Sequence, residues 1–239
     1  MPQFFIKTSD IIHDKCRITG DDFRHLAAAR RVRPGDTVQL RVETGSRLSG
    51  RVLEISDSFV EVAVIGEAGR ALPSIEITLC ACLLKGKSFD SVIEKAVEIG
   101  VSRIVPVVTE RTIPRPPDAR ARIARWRRKA LEAAKQSMRE SVPDIETIHS
   151  FKEAIEARRD GVRMIAHPGA ETSIKDFLRQ HNPGASILLV GPEGGFSTGE
   201  VEEAVQAGWS SVNFGFSQLR AGTAAVVLCG ILMYEWGND

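Results

Sequence analysis

Two polar loops near the C-terminal end of the chain carry residue types that suit ligand binding. The first reads Gly-Pro-Glu-Gly-Gly over residues 191–195, and the second covers residues 215–220. Glycines leave backbone N–H and C=O groups uncovered, and ligands bind at such loops in open α/β sheets. Glu193 argues against a phosphate-binding loop, which favours N–H groups and a lysine. The loops predict an active site between them, although a plain strand-to-helix turn would also explain the first.

The segments around these loops predict how they are held. An apolar run at residues 187–190 predicts a strand, and the capping box STGE at residues 197–200 predicts the start of a helix. Gly208 is expected to end that helix. A second strand at residues 211–214 leads into the second loop and a further apolar helix to about Tyr234. Both loops should therefore lie at the carboxyl ends of strands and face one crevice.

Strands and helices also alternate through the preceding part of the chain. Residues 75–84, 89–99 and 104–108 read as strand, helix and strand, a βαβ unit that implies parallel pairing. Further predicted elements are helices at residues 119–139, 150–159 and 174–178 and a strand at residues 162–166. His167 follows that strand directly. This alternation predicts an open α/β sheet.

The first seventy residues have a different pattern. Short β-branched runs at residues 37–42, 50–55 and 59–65 are separated by turn residues, which predicts a small β-barrel of a kind that often binds RNA. A helix is expected at residues 21–31, and the turn-rich segment 66–73 is the best candidate for a linker. We therefore expect two domains, residues 1–70 and 74–239.

Charge is unevenly distributed along the 239-residue chain, whose formal net charge is +1. Residues 111–139 hold ten Lys and Arg against two acidic residues, a net charge of +8. Residues 190–239 hold one Arg against six acidic residues, a net charge of −5. Basic runs on helices are usually solvated faces, but this one exceeds what solubility requires and favours nucleic-acid binding.

Cysteine spacing and hydropathy exclude several classes of protein. Cys16, Cys80, Cys82 and Cys229 show no metal-binding spacing, and Cys80 and Cys82 share one face of a predicted strand, which predicts buried thiols. The N-terminus has no apolar signal-peptide core, and no segment reaches the ~18 apolar residues of a membrane span. We expect a cytoplasmic protein without a metal site.

The two loops carry a resemblance to a known family. GPEGGFSTGEV at residues 191–201, followed by FGFSQLRAGTAA at residues 214–225, is similar to the C-terminal signature of the ribosomal RNA uridine N3-methyltransferases, a SPOUT-class family. Segments 85–101, 134–145 and 166–170 also resemble that family, so that most of the chain is covered. The chain departs from the signature at Phe214, Ser217 and Ala221-Gly222, where the family has Leu, Arg and Thr-Glu.

The resemblance implies a fold, a cofactor and a reaction. It implies an N-terminal PUA-like RNA-binding β-barrel and a C-terminal SPOUT α/β domain with a trefoil knot, in a homodimer. The reaction is methyl transfer from S-adenosyl-L-methionine to uridine N3 in 16S ribosomal RNA of the small ribosomal subunit. The residues expected to bind the cofactor are His167, Val190, Gly191, Pro192, Glu193, Gly194, Gly195, Phe214, Gly215, Gln218, Leu219, Arg220 and Thr223.

Two arginines are expected to act on the substrate. Arg220 is the candidate for stabilising the anion that develops on the uracil, and Arg139, from this chain or its partner, for fixing a phosphate. The residues expected to contact RNA are His25, Arg30, Arg31, Arg33, Lys85, Lys87, Arg111, Arg122, Arg125, Arg128, Lys135 and Arg139.

Three questions stay open at the level of sequence. The catalytic base is not assigned. Because Ala221-Gly222 departs from the signature, a non-catalytic RNA-binding protein of the same fold is an alternative. The second alternative is an unrelated nucleotide-binding α/β enzyme.

Overall fold

The chain divides into two units, one of Met1–Leu72 with Ala134–Val142 and the other of Pro73–Ala133 with Pro143–Asp239. Both are seen in a computed structural model. It describes residues 3–20, 23, 32–42, 47–67, 75–115, 118–139, 141–157, 161–215 and 218–237. That residues 1–70 and residues 74–239 form two independent domains stays a prediction.

The first unit is built on a six-stranded sheet in the order β1-β4-β5-β6-β3-β2. The strands are β1 (Gln3–Ile6), β2 (Ile11–Ile12), β3 (Lys15–Thr19), β4 (Thr37–Val42), β5 (Arg47–Ile55) and β6 (Phe59–Glu67). β1 pairs with β4 in parallel, and the other neighbours are antiparallel. The alternating apolar residues that predicted this region therefore form one β layer.

One face of this sheet covers an apolar core. Val38, Leu40, Val60 and Val62 are fully buried in it. Gly50 lies in the same layer, where a Cβ atom would sit 2.3 Å from a methyl carbon of Val62. The strands pack so closely here that only glycine fits at that position.

The predicted strand at residues 37–42 is confirmed, and the other two run further than predicted. β5 begins at Arg47 rather than residue 50, and β6 ends at Glu67 rather than residue 65. The predicted linker therefore starts inside β6, because Gly66 and Glu67 still pair with β5. The helix predicted at residues 21–31 lies outside the described residues, apart from residue 23.

The second unit is a parallel sheet in the order β10-β8-β7-β13-β11-β14-β12, with β9 also paired to β8. Its strands are β7 (Ile77–Cys82), β8 (Arg103–Val108), β9 (Asp144–Ile145), β10 (His149–Ser150), β11 (Val162–Ala166), β12 (Thr172–Ser173), β13 (Ser186–Val190) and β14 (Ser210–Asn213). The helices are α1 (Ser88–Ile99), α2 (Ala119–Gln136), α3 (Phe151–Ala157), α4 (Ile174–Gln180), α5 (Thr198–Gln206) and α6 (Ala221–Trp236). The predicted parallel α/β class is thereby confirmed; the trefoil knot stays a prediction.

Several predicted boundaries in this unit are wrong. β7 covers only Ile77–Cys82 of the strand predicted at residues 75–84, and Leu83 and Leu84 form a buried loop instead. α2 ends at Gln136 rather than residue 139, because Met138 has a positive φ of 54°. The strand predicted at residues 211–214 is shifted by one residue, to Ser210–Asn213.

The core of the second unit contains the predicted apolar helix faces and three of the four thiols, and Cys16 lies in the core of the first unit. Phe89 and Val92 are buried on α1, which packs against α6. None of the four cysteines, all of which lie in described segments, forms a disulfide, and all are buried. Burial raises the pKa of the Cys229 thiol to about 12, so it stays protonated at neutral pH. Within the described residues, no helix is long and apolar enough to span a membrane.

The capping box at the start of α5 generates a stability prediction. Ser197 Oγ accepts the Glu200 N–H at 3.3 Å, and Glu200 Oε2 accepts the Ser197 N–H at 2.9 Å. Ser197→Ala should lower the free energy of unfolding by about 1 kcal/mol, because one N-terminal N–H of the helix loses its acceptor. Ser197→Asp should retain most of the stability, and Thr198→Ala, at an exposed neighbouring position, serves as the control. Urea denaturation gives these values; equal losses for Ser197→Ala and Thr198→Ala would contradict the role of the cap.

Candidate active site

Three parallel strands end side by side at one edge of the second sheet. Ala166, the last residue of β11, pairs with Val190, the last residue of β13. Ala166 also pairs with Val212 near the end of β14. Three loops therefore leave the sheet from the same row, as expected for a ligand site at the carboxyl ends of parallel strands.

A cavity of about 380 Å³ lies between these loops. Most of the residues predicted to bind the cofactor line it: His167, Val190, Gly191, Pro192, Glu193, Gly195, Phe214, Gly215, Gln218, Leu219 and Arg220. Gly194 and Thr223 are not among the lining residues. The structure thus brings eleven of the thirteen predicted residues together around one space.

The glycine-rich loop is a tight turn that points its backbone toward the cavity. The Gly195 N–H donates to the Pro192 carbonyl at 2.9 Å, and Gly195 has a φ of +66°. At Gly191, a Cβ atom would lie only 3.1 Å from the Phe196 ring. Larger residues at these two positions would strain the turn or displace the buried ring.

Arg111 holds the glycine-rich loop from outside. Its Nη1 donates to the carbonyl of Gly194 at 3.1 Å and to the carbonyl of Phe196 at 3.2 Å. The sequence predicts Arg111 as an RNA contact. In the structure its guanidinium binds these two loop carbonyls, and RNA contact through Arg111 stays a prediction.

Two carboxylates connect this loop and α5 to other strand ends. Glu193 Oε1 accepts the backbone N–H of Lys85 at 2.9 Å, and Lys85 follows β7, the strand paired with β13. Glu200 Oε1 accepts the backbone N–H of Glu110, just after β8, at 2.9 Å. Charge-assisted hydrogen bonds of this kind are stronger than neutral ones, so they fix where the loop lies.

Two hydrogen bonds hold the loop after β11 against β14. The His167 N–H donates to the Val212 carbonyl at 2.9 Å. Asn213 Nδ2 donates to the Ala170 carbonyl at 2.6 Å. His167 thus enters the cavity wall through its backbone position, beside the second loop.

The cavity contains few charges. Among its described lining residues, Arg220 is the one Lys or Arg and Glu193 is the one carboxylate. Arg220 is exposed and occupies the N-cap position of α6, where its side chain makes no capping hydrogen bond. Within the described residues, no group of three His, Cys, Asp or Glu is placed to hold a metal ion.

Several cations of α2 have partners inside the second unit. Arg125 pairs with the buried Asp90, and Lys129 pairs with Glu94. Arg127 donates to the carbonyl of Ile145, which belongs to β9. Part of the basic stripe therefore anchors α2 to α1 and the sheet. RNA contact through Arg125 stays a prediction.

The other predicted RNA contacts lie in different parts of the chain. Lys85, Lys87, Arg33 and Arg128 are exposed. Partial burial lowers the pKa of Arg139 to about 10, so it is still protonated at neutral pH; like Lys135, it belongs to the segment grouped with the first unit. His25, Arg30 and Arg31 lie outside the described residues.

Sequence reasoning did not assign eight residues of the cavity wall: Ala166, Pro168, Phe196, Val212, Asn213, Ala221, Ala224 and Leu228. Most are apolar and look like ordinary core positions. The signal that could identify those at the strand ends is strand register. In a parallel sheet, the last residues of β11, β13 and β14 lie next to one another and therefore border the same space.

The Glu193 contact can be tested by hydrogen exchange. Glu193→Ala should speed hydrogen exchange of the Lys85 amide about tenfold. A hydrogen bond to a charged acceptor contributes about 1.5–3 kcal/mol, and the lower end of that range corresponds to about a tenfold change in rate. Glu193→Gln should have a smaller effect, because its amide oxygen still accepts. Glu202→Ala, an exposed position on α5, is the matched control. An unchanged Lys85 exchange rate in Glu193→Ala would contradict the contact.

Comparison with known proteins gives the family. The chain matches the RNA methyltransferase domain over residues 71–233 and the RNA methyltransferase PUA domain over residues 18–65. It is 34% identical over 162 residues to ribosomal RNA small subunit methyltransferase E of Mesomycoplasma hyopneumoniae, covering 67% of this chain and 70% of that protein. The protein of the same name from Bacillus subtilis is 27% identical over 229 residues, covering 91% of this chain and 89% of that one.

A solved structure supports the same relationship. The ribosomal RNA small subunit methyltransferase E from Neisseria gonorrhoeae, bound to S-adenosyl methionine, superposes with a TM-score of 0.88. It is 29% identical, and the match covers 99% of this chain and 98% of that chain. The resemblance inferred from the two loops and the combination of a PUA-like sheet with an α/β domain are confirmed, and the chain belongs to the RNA methyltransferase family that carries a PUA domain.

Proposed function

We propose that this RNA methyltransferase transfers a methyl group from S-adenosyl-L-methionine to N3 of a uridine in small-subunit ribosomal RNA. The observation that carries the proposal is the cavity of about 380 Å³ enclosed by three loops at one strand edge. The Neisseria relative, similar over nearly the whole chain, is bound to S-adenosyl methionine. The curated relatives are named as methyltransferases of small-subunit ribosomal RNA.

The cavity fits an adenosyl group better than a polyphosphate. Its volume falls within the range of roughly 300–1,000 Å³ that is typical of small-molecule sites. Its wall consists of loop backbone and apolar side chains such as Val190, Phe196 and Leu228. A base and ribose need backbone hydrogen bonds and apolar contact, which this wall offers, whereas a phosphate-binding loop favours a lysine, and the described residues of this wall include a carboxylate, Glu193, and no lysine.

The chemistry determines what the protein has to supply. S-adenosyl-L-methionine contributes a methyl carbon made electrophilic by a positively charged sulfur. Uridine N3 lies on the pairing edge of the base, so the base must be unpaired and splayed out. N3 also carries a proton that must leave, and negative charge then spreads onto the uracil oxygens.

Arg220 is the residue we propose to stabilise that charge. It is the permanently cationic residue among the described lining residues, and its backbone is held at the N-cap of α6. A preorganised cation aimed at developing charge is among the largest single contributions to catalysis. Arg139 is proposed to fix a substrate phosphate, from this chain or from a partner.

The departure at Ala221-Gly222 does not argue for a loss of activity. Ala221 lines the cavity, but a Cβ atom at Gly222 would lie 3.6 Å from methyl carbons of Leu84 and Val92. A side chain at that position would start out against the apolar contact between α6 and α1. Glycine in place of the Glu of the family signature therefore removes no carboxylate from the cavity wall. This favours an active enzyme over a degenerate RNA-binding protein.

Arg220→Ala tests the catalytic assignment. The variant should reduce the rate of methyl transfer at least ~10²-fold, because the anion on the uracil loses its cation. Its affinity for S-adenosyl-L-methionine, measured by calorimetry, should stay within about threefold of the wild type, since the backbone forms most of that site. Arg220→Lys should recover part of the rate, because it keeps the charge but not the planar fork.

Lys175→Ala, an exposed change on α4, is the control and should keep the full rate. A near-normal rate for Arg220→Ala would refute the role. Failure of the wild type to bind S-adenosyl-L-methionine, with tight binding of another nucleotide, would refute the proposed function itself.

We further propose that the protein works as a homodimer through α6, acting on RNA in the cytoplasm. α6 buries Ala225, Leu228, Cys229, Leu232 and Trp236 on one side. The opposite side is also apolar: Val227 and Gly230 are half-buried and Tyr234 is 85% exposed. A helix that is apolar all round is normally covered on both sides. A second copy of the chain is the cover we propose.

Charge placed on this outer face should break the dimer. Tyr234→Glu and Val227→Glu should convert a dimer at micromolar concentration into a monomer, because each would bury a carboxylate in an apolar interface. Glu235→Gln, also on α6 and exposed, is the control and should leave the dimer intact. Analytical ultracentrifugation gives the mass; a wild-type monomer, or a Tyr234→Glu dimer of unchanged stability, would contradict the proposal.

A further inference from the structure

A second, smaller cavity opens beside the loop that follows β7. Its volume is about 60 Å³, compared with about 380 Å³ for the first cavity. One water needs only about 10–15 Å³, so the space holds several waters or one edge of a flat ring, but no cofactor. It is lined by Leu83, Leu84, Gly86, Phe89, Pro114, Arg122 and Trp126.

The floor of this cavity is aromatic and firmly held. The rings of Phe89 and Trp126 are 4.6 Å apart, and both side chains are buried. Trp126 Nε1 donates to the buried Asp90 carboxylate at 3.1 Å, and Arg125 binds the same carboxylate. Because its polar group is already paired, Trp126 presents only apolar surface to the cavity.

Arg122 also lines the cavity, and its guanidinium is a planar cation that can change position. Its guanidinium carbon lies 5.9 Å from the centre of the Trp126 ring, near the outer limit of a cation–π contact. The side chain is only partly buried. Little energy therefore opposes its turning to stack on a ring that enters the cavity.

The surroundings carry the charge that an RNA backbone requires. Lys85 and Lys87 are exposed on either side of Gly86, which itself lines the cavity. Neighbouring carboxylates are engaged: Asp90 binds Arg125 and Trp126, and Glu193 binds the Lys85 N–H. A largely apolar cavity with exposed cations on the adjoining loop is complementary to an unstacked base followed by its phosphates.

We propose that this cavity receives, edge first, an unpaired single-ring base that flanks the target uridine in the substrate RNA. The inference rests on the proposed function and names a second subsite for it. The loop of residues 85–87 connects the walls of the two spaces, because Gly86 lines the smaller cavity and the Lys85 N–H donates to Glu193, which lines the first. A base held here fixes the register of the strand, so that the next nucleotide is presented to Arg220.

The test uses a panel of RNA fragments from the small-subunit target region, each with one nucleotide near the target made abasic. With wild-type protein, one flanking abasic position should lower both RNA affinity and kcat/KM roughly 10-fold, as expected for loss of one base contact. In Arg122→Ala that abasic penalty should shrink below about twofold, because the contact is already missing. Arg122→Lys should also lose the penalty while keeping the salt dependence of binding, since it retains charge without a planar group.

Arg120→Ala is the matched control. It removes the same charge from an exposed position on the same helix, outside the lining of either cavity, and should leave the abasic penalty intact. An equal penalty in Arg122→Ala and Arg120→Ala, or no penalty at any flanking position, would overturn the proposal. If wild-type protein binds RNA without methylating it, the proposed function fails, and the binding measurements alone still decide whether the subsite exists.

Discussion

The site depends on the parallel register of β11, β13 and β14. Pairing of Ala166 with both Val190 and Val212 puts three chain exits in one row. Each of these strands continues into a loop of the cavity wall. A shift of one residue in either strand pairing would displace a loop from the cavity and would turn every side chain of the shifted strand to the opposite face of the sheet. The buried apolar strands hold this register, since all five residues of β13 are buried.

Long-range polar contacts then fix one of these loops, the glycine-rich loop after β13, to the segments that follow β7 and β8. Arg111 binds the carbonyls of Gly194 and Phe196, which lie 83 and 85 residues after it in the chain. Glu193 binds the backbone N–H of Lys85, from which it is separated by 108 residues. Both contacts satisfy main-chain groups at points where the sheet no longer can. The same Lys85 loop borders the smaller cavity, so the arrangement that shapes the cofactor space also shapes the surface beside it.

The sequence was most informative where the local pattern decides the structure. The strands Thr37–Val42 and Val162–Ala166 have the predicted bounds, because β-branched runs between turn residues are local signals. The capping box at Ser197 placed the start of α5 correctly for the same reason.

Features set by tertiary contact were not predictable. The end of α2 depends on Met138 adopting a left-handed conformation, which residue type alone does not indicate. The hydrogen bonds of Arg111 to the glycine-rich loop exist only after the sheet has formed, so a cation in a basic run of the sequence does not reveal these partners. The binding loops themselves were found from their glycines, but the apolar half of the cavity wall was not.

The most direct test of the account is transfer of labelled methyl from S-adenosyl-L-methionine to small ribosomal subunits taken from a strain that lacks this protein, with the modified nucleoside identified by mass spectrometry. We predict a single labelled product, 3-methyluridine, and its loss when Arg220 is changed to Ala. A different methylated nucleoside would contradict the assigned target atom. The absence of transfer, with cofactor and RNA both bound, would contradict the claim that this cavity is an active site.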